Sequence, residues 1–258
     1  MNHVKIRKLC ATLGVALLAV SANSYSQTTL NVYGPGGPAP AIKEAAATFQ
    51  KNTGIAVSVT AGPTPAWIDK AKENADVIYS GSEAMMSDFV DAMGDQLTAS
   101  AAEPLYLRPA AMLVRPGNPK HIARFTDLLK PGVKVLVVNG SGQGGLWEDV
   151  AGRTGNIGQV KALRANIVGY AKNSALAKQT WVDQPDIDVW LIWNIWQVAN
   201  PSLADVVPIE PKYAIYRDTG VAITRRGADQ PASKQFVDFL KSKQGAAIFA
   251  KWGWKTTP

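Results

Sequence analysis

Apolar positions along the chain switch repeatedly between a two-residue and a three-to-four-residue period. Residues 30–33 form a short apolar run closed by Gly34, Pro35, Gly36 and Gly37. Residues 40–52 then place Ile42, Ala45, Ala46 and Phe49 at helical spacing, and Gly54 stands where a helix C-terminal glycine belongs. Residues 55–60 alternate as a strand, 62–65 form a Gly/Pro turn, and a short helix is predicted from about Ala66. A strand at 76–79 runs into Ser80, Gly81 and Ser82. A helix follows with Met86, Phe89, Val90 and Met93 on one face. Residues 106–115 read as extended, 125–129 as a short helix, and the valine-rich run 133–138 as a buried strand. The glycine-rich stretch 140–145 leads into a helix over 146–153. Strands at 167–170, 189–193 and 206–209 follow, with a helix over 175–182. Residues 214–224 read as extended but interrupted at Asp218, Thr219 and Gly220. An amphipathic helix over 232–243 and a short one near 246–251 end the chain. This alternation predicts an α/β fold with mostly parallel sheets. No repeat or low-complexity linker divides it, so two lobes would have to exchange chain through crossings, with 106–115 and 214–224 the best candidates.

The N-terminus has a different character. Residues 1–26 carry Lys5, Arg7 and Lys8 and no acid, then an apolar run over 9–22, then Ser24, Tyr25 and Ser26. A basic start, a short apolar middle and a small-residue exit predict a secretory signal peptide cleaved before Gln27. The run is too short to span ~30 Å of hydrocarbon, and no integral membrane segment is expected after cleavage. The single cysteine, Cys10, lies inside this leader and precedes most of the apolar run, where a lipid-anchored cysteine would not sit. The mature chain is thus expected in the periplasm, without disulfides and held by core packing. Removing the three leader cations from the 27 basic residues leaves 24 against 20 acidic ones, a net charge of +4 rather than +7. No Lys/Arg cluster of the nucleic-acid kind appears, so no nucleic-acid partner is expected.

Three segments share one pattern, in which an apolar strand meets a Gly/Ser turn and then a helix. Such turns gather at the carboxyl ends of strands. There a helix N-terminus offers unpaired N–H groups and partial positive charge, and Ser hydroxyls add neutral donors. The candidate ligand residues are therefore Gly34, Gly36 and Gly37; Ser80, Gly81 and Ser82; and Ser141, Gln143 and Gly144. Arg108 and Arg217, in the extended crossings, could each pair with a carboxylate, sulfonate or phosphate, although Asp218 could partly neutralise Arg217. Of eight tryptophans, Trp147 and Trp67 follow loops and could wall an organic anion, and at least one of Trp190, Trp193 and Trp196 should be core.

Other chemistries fit less well. Residues 140–145 match GxGxxG, but the next strand ends without the acid a dinucleotide site needs. No P-loop occurs. The GxSxG elbow is absent because Asn139 stands two residues before Ser141, and His121 is the only histidine beyond the leader. A Ser/Lys dyad stays open. No cysteine remains to ligate a metal and no acidic pair flanks the histidine, so no metal, cofactor or catalytic residue is expected.

Residues 31–38 (NVYGPGGP), 60–65 (TAGPTP), 107–111 (LRPAA) and 191–198 (LIWNIWQV) together resemble the accessory colonization factor AcfC group of molybdate/sulfate-like periplasmic solute-binding proteins. The likeness runs from about Leu30 to the C-terminal helices. It implies a two-lobed type II periplasmic binding protein fold closing over a small ligand, with two hinge crossings. Residues 27–105 plus 218–258 would form one lobe and 106–217 the other. It also implies capture of an oxyanion or organic acid, sulfate, sulfonate, phospho-acid or carboxylate, with delivery to an ABC importer permease. In that resemblance the ligand loops correspond to residues 34–37, 80–82 and 141–144, and Arg108, Tyr216 and Arg217 take hinge positions. Two readings from other classes stay open: a secreted serine hydrolase using Ser141 or Ser80, and an adhesion factor acting by surface contact.

Overall fold

The computed structural model describes residues 29–140 and 142–256. The signal peptide and Cys10 lie outside the described residues, as does Ser141. Among the described residues no helix is long and apolar enough to cross a membrane.

Strand β1 (Leu30–Gly34) is followed by α1 (Ala39–Thr53), β2 (Val57–Ala61), α2 (Ile68–Asn74), β3 (Val77–Tyr79) and α3 (Glu83–Met93). A long strand, β4 (Ala102–Val114), leads to β5 (Val135–Val138), α4 (Leu146–Gly152), α5 (Ile157–Asn166), β6 (Ile167–Ala171) and α6 (Ser174–Asp183). Then come β7 (Val189–Trp193), α7 (Ile195–Val198), β8 (Asp205–Pro208), β9 (Tyr216–Ile223), α8 (Arg225–Ala228), α9 (Pro231–Lys241) and α10 (Lys243–Lys251).

The helices form where the apolar spacing asks for them. Ile42, Ala45, Ala46 and Phe49 of α1 are buried, and Gly54 ends the helix at φ 77°, a left-handed conformation that glycine adopts without steric cost. Phe236, Val237 and Leu240 of α9 pack inward, with Phe49 edge-on to Phe236 at 5.3 Å.

The sheet runs β2-β1-β3-β9-β4-β7-β5-β6, with β8 pairing β4. It is mixed, not mostly parallel. The pairs β1–β2, β1–β3, β5–β6 and β5–β7 are parallel, whereas every pair made by β4 or β9 is antiparallel. The antiparallel pairs are confined to the two strands read as crossings and their neighbours. Residues 102–109 of β4 pair with β9, and residues 110–114 pair with β7 and β8. One strand therefore belongs to both ends of the sheet.

Two further features depart from the sequence reading. Strand β9 runs through Asp218, Thr219 and Gly220 without a break. Thr219 Oγ1 donates to the Ser80 carbonyl at 2.6 Å, and the Gly220 N–H donates to Ser80 Oγ at 3.1 Å, so this polar triplet is stitched to β3. Helix α5 lay unread because its apolar stripe is thin. Ile157 is 74% exposed, and only Leu163 and Asn166 are buried.

Candidate functional site

A cavity of about 80 Å³ lies where the turns at the two ends of the sheet meet. It holds about three water molecules at the ~30 Å³ each takes in the liquid, which is the scale of a small oxyanion. Its walls come from residues 35–38 before α1, residues 62–64 after β2, Gly81 and Met85 at the start of α3, Arg108 of β4, Gln143, residues 173–175 at the start of α6, and Trp196.

Three helices of eight residues or more begin at this cavity, and their caps differ. Helix α1 starts behind Pro38 with no side-chain cap; the Pro38 carbonyl accepts from Ile42 N at 3.1 Å, and no side chain covers the N–H groups that precede it. Helix α3 is capped by Ser82, whose Oγ accepts from Met85 N at 3.1 Å. Helix α6 is capped by Asn173, which accepts from Leu176 N at 2.9 Å. Convergent N-termini give the cavity positive potential without charged side chains.

Arg108 adds the charge. It is 4% exposed, and its Nη2 donates to the Gly81 carbonyl. The guanidinium carbon lies 4.6 Å from the Trp193 ring centroid and 5.4 Å from that of Trp254. These aromatic faces hold the cation without neutralising it. Its Nε is buried with no partner among the described residues. Burial pushes the Arg108 pKa down to about 9, and Asp218 and Glu83 partly oppose that shift. An anion brought into the cavity meets a cation that burial has left short of partners. At ~4 Å and an effective dielectric of ~20 such a contact gains about 4 kcal/mol.

Two glycines make room for this guanidinium. A Cβ at Gly37 would sit 3.1 Å from Arg108 Nη1, and one at Gly81 would sit 3.2 Å from Nη2. Gln143 supplies a neutral polar group. Its Nε2 lies 2.6 Å from Ser174 Oγ, and Oε1 is buried without a partner among the described residues. A hydroxyl serves equally as donor, so with the amide turned over Oε1 accepts from Ser174 and the NH₂ is free for a bound anion. Trp196 forms the aromatic wall, backed by Trp190 in a tilted contact at 5.9 Å between centroids. Trp190 and Trp193 are fully buried core residues.

Of the residues singled out from the sequence, Gly36, Gly37, Gly81, Arg108 and Gln143 line this cavity. Ser82 stands beside it. Besides capping α3, its Oγ donates to the Gly142 carbonyl at 3.2 Å and so pins the 139–145 loop to α3. The others sit elsewhere. Gly34 abuts β3, where a Cβ would fall 2.4 Å from the Tyr79 carbonyl oxygen. Ser80 is wholly buried and bound to β9. Gly144 is exposed. Trp147 is a core residue, edge-on to Tyr170 at 6.4 Å. Tyr216 is 44% exposed. Arg217 faces Arg108 in register, but its guanidinium is paired with Asp149 at 2.9 Å, not with Asp218. Trp67 is also core, and its Nε1 donates to the Gly62 carbonyl at 3.1 Å, steadying the loop that forms one wall. Asn173, Ser174 and Thr64 escaped the sequence reading. The signal for the first two was a fourth strand end followed by a capping asparagine, a turn without glycine.

The sequence profile of the family described as bacterial extracellular solute-binding protein matches residues 30–255. The chain belongs to this family. Among solved structures, this solute-binding protein superposes on Peb3 from Campylobacter jejuni with a TM-score of 0.82 and 33% identity, covering 88% of this chain and 100% of that one. An L-phospholactate-bound PEB3 gives 0.84 at the same identity and coverage. The sulfate-binding protein SubI from Mycobacterium tuberculosis H37Rv shares the fold at a TM-score of 0.72 and 19% identity, over 90% of this chain and 88% of that one. A curated sulfate-binding protein of Escherichia coli (strain K12) is 28% identical over 165 residues, 57% of this chain and 50% of the relative. The chain thus spans about half the length of the curated relatives it matches.

Proposed function

We propose that this solute-binding protein captures a small oxyanion or organic anion in the cavity around Arg108 and presents it to an ABC importer from the periplasm. The observation that carries this reading is the buried Arg108 guanidinium, held by aromatic faces and glycines at the meeting point of three helix N-termini. Helix termini and a buried guanidinium without a salt-bridge partner among the described residues both favour negative charge. The cavity volume suits a compact anionic head. The sulfate-binding relatives and the L-phospholactate-bound relative support sulfate and phospho-acids within a reading that also takes in sulfonates and carboxylates. In this reading residues 27–105 plus 218–258 and residues 106–217 act as two lobes that close on the ligand, flexing along β4 and before β9. The motifs that resemble the AcfC group support reading the chain as close to that branch of the family.

The test is thermal-shift and titration calorimetry of the mature protein against sulfate, molybdate, an alkyl sulfonate, L-phospholactate and citrate. At least one should raise the melting temperature in a concentration-dependent way, as a ligand specific for the native state must. A flat response to the whole panel would remove the proposal.

A further inference from the structure

The side of β4 and β9 turned away from Arg108 carries a second concavity. In this antiparallel pair Arg108 stands opposite Arg217, and Leu107 opposite Asp218. Paired residues share a face and successive ones alternate, so Asp218 and Arg108 belong to opposite faces. Helix α3 divides the two spaces. Met85 lines the anion cavity, whereas Glu83, Met86, Val90 and Asp91 line the other. Those four fall at the i, i+3, i+7 and i+8 spacing of one helix face. Ala102, Glu103 and Pro104 of β4, Asp218 and Gly220 of β9, and Ala99 just before β4 supply the rest. The groove encloses about 550 Å³, within the ~300–1,000 Å³ range of small-molecule sites.

Its lining combines apolar surface with negative charge. Glu83 and Asp91 are exposed at the rim, but Asp218 is only 9% exposed. Asp218 Oδ1 is buried with no hydrogen-bond partner among the described residues. A buried carboxylate oxygen without a donor is costly, and a ligand that brings a donor recovers that cost. Cations of the chain near this groove are engaged with other groups. Lys241 pairs with Glu103, Arg217 with Asp149, and the Lys255 ammonium lies 5.3 Å from the Tyr216 ring centroid. Among the described residues no group of three or more His, Cys, Asp or Glu is placed to hold a metal ion. We propose that this groove binds a small organic cation, a primary ammonium or guanidinium carried on an alkyl chain, with Asp218 as its counter-charge. The N–H groups donate to Asp218 Oδ1, and the chain lies against Met86, Val90 and Ala102. Glu83 at the rim adds attraction for the same charge. This site stands apart from the anion-binding reading and does not depend on it.

Titration calorimetry of the mature protein at pH 8 tests this. Burial, with Glu83 adding to it, pushes the Asp218 pKa up to about 6, so its carboxyl is ionised at that pH while an alkylamine remains cationic. Hexylammonium and hexylguanidinium should bind. Hexyltrimethylammonium carries the charge without an N–H donor, and hexan-1-ol carries no charge. Each should bind at least about tenfold more weakly than hexylammonium. Asp218→Asn should cost at least about tenfold in hexylammonium affinity, with a melting temperature no lower than wild type, because it removes an unpaired buried charge. Ala99→Phe, which narrows the groove from an exposed position, should weaken binding to a similar degree and serves if Asp218→Asn does not fold. Three results each overturn the proposal: no binding of hexylammonium by wild type at millimolar concentration, equal binding of the quaternary ammonium or the alcohol, or unchanged affinity in a folded variant.

Discussion

The two walls of the cavity are built from different materials. The wall from the β1–β3 end of the sheet and the shared strand β4 carries charge and backbone: Gly37, Gly81, the bare start of α1 and the Arg108 guanidinium. The wall from the β5–β7 end carries neutral side chains: Gln143, Asn173, Ser174 and the Trp196 ring. Charge attracts any anion and is fixed in place by aromatic faces. Neutral hydrogen bonds and a ring face distinguish one anion from another, because their value depends on fit. The contrast assigns affinity to the first wall and selectivity to the second, and the two can be broken separately.

The largest effect should come from Arg108. Replacing it with Met should cost at least about 100-fold in anion affinity, since it removes a buried charge–charge contact. Stability should move the other way or not at all, because an apolar side chain carries no desolvation penalty among Trp193 and Trp254. Arg108→Lys should recover little, as an ammonium cannot both lie flat between the rings and reach Gly81. Arg217→Ala serves as the control, because that guanidinium is already bound to Asp149. Calorimetric Kd values beside melting temperatures of the empty protein separate these outcomes. A folded Arg108→Met protein with unaltered affinity would end the assignment of charge to this wall.

A smaller and more selective effect is expected at Trp196. Its ring borders the cavity instead of sitting in the core, so Trp196→Ala should change sulfate affinity by less than about threefold. An organic anion whose carbon skeleton lies against the ring should lose about tenfold. Competition of L-phospholactate against sulfate on the variant gives the ratio directly. An equal loss for both ligands would mean that this wall contributes only shape.

The same contrast explains what the sequence could reveal. Backbone-built features were legible because turn chemistry is local. Gly36, Gly37 and Gly81 follow strand ends, and α1 announces itself through a clean apolar stripe. Features that depend on direction or on distant partners were not. Trp147 follows the glycine loop as a cavity residue would, but its ring turns into the core toward Tyr170. Arg217 is claimed by Asp149, 68 residues away in sequence, and no local pattern foretells that pair. Ser80 and Ser82 look equivalent in the turn, yet one side chain reaches back to β9 and the other forward to Gly142. Helix α5 buries too little to leave a periodic trace.

Ser82 tests the seam between the walls, where the smallest effect is expected. Its hydroxyl caps α3 on the charged side and holds the Gly142 carbonyl on the neutral side. Ser82→Ala should lose about 1 kcal/mol of stability from the cap, a fall of ~2–4 °C in melting temperature for a chain of this size. Affinity should fall only about two- to threefold, because no direct ligand contact is removed and the loss comes from freeing the 139–145 loop. Ser82→Thr keeps the hydroxyl and should restore both. Restored stability with affinity still reduced would show that the cap and the cross-wall bond are separable, and that the reach to Gly142 is what closes the two walls on each other.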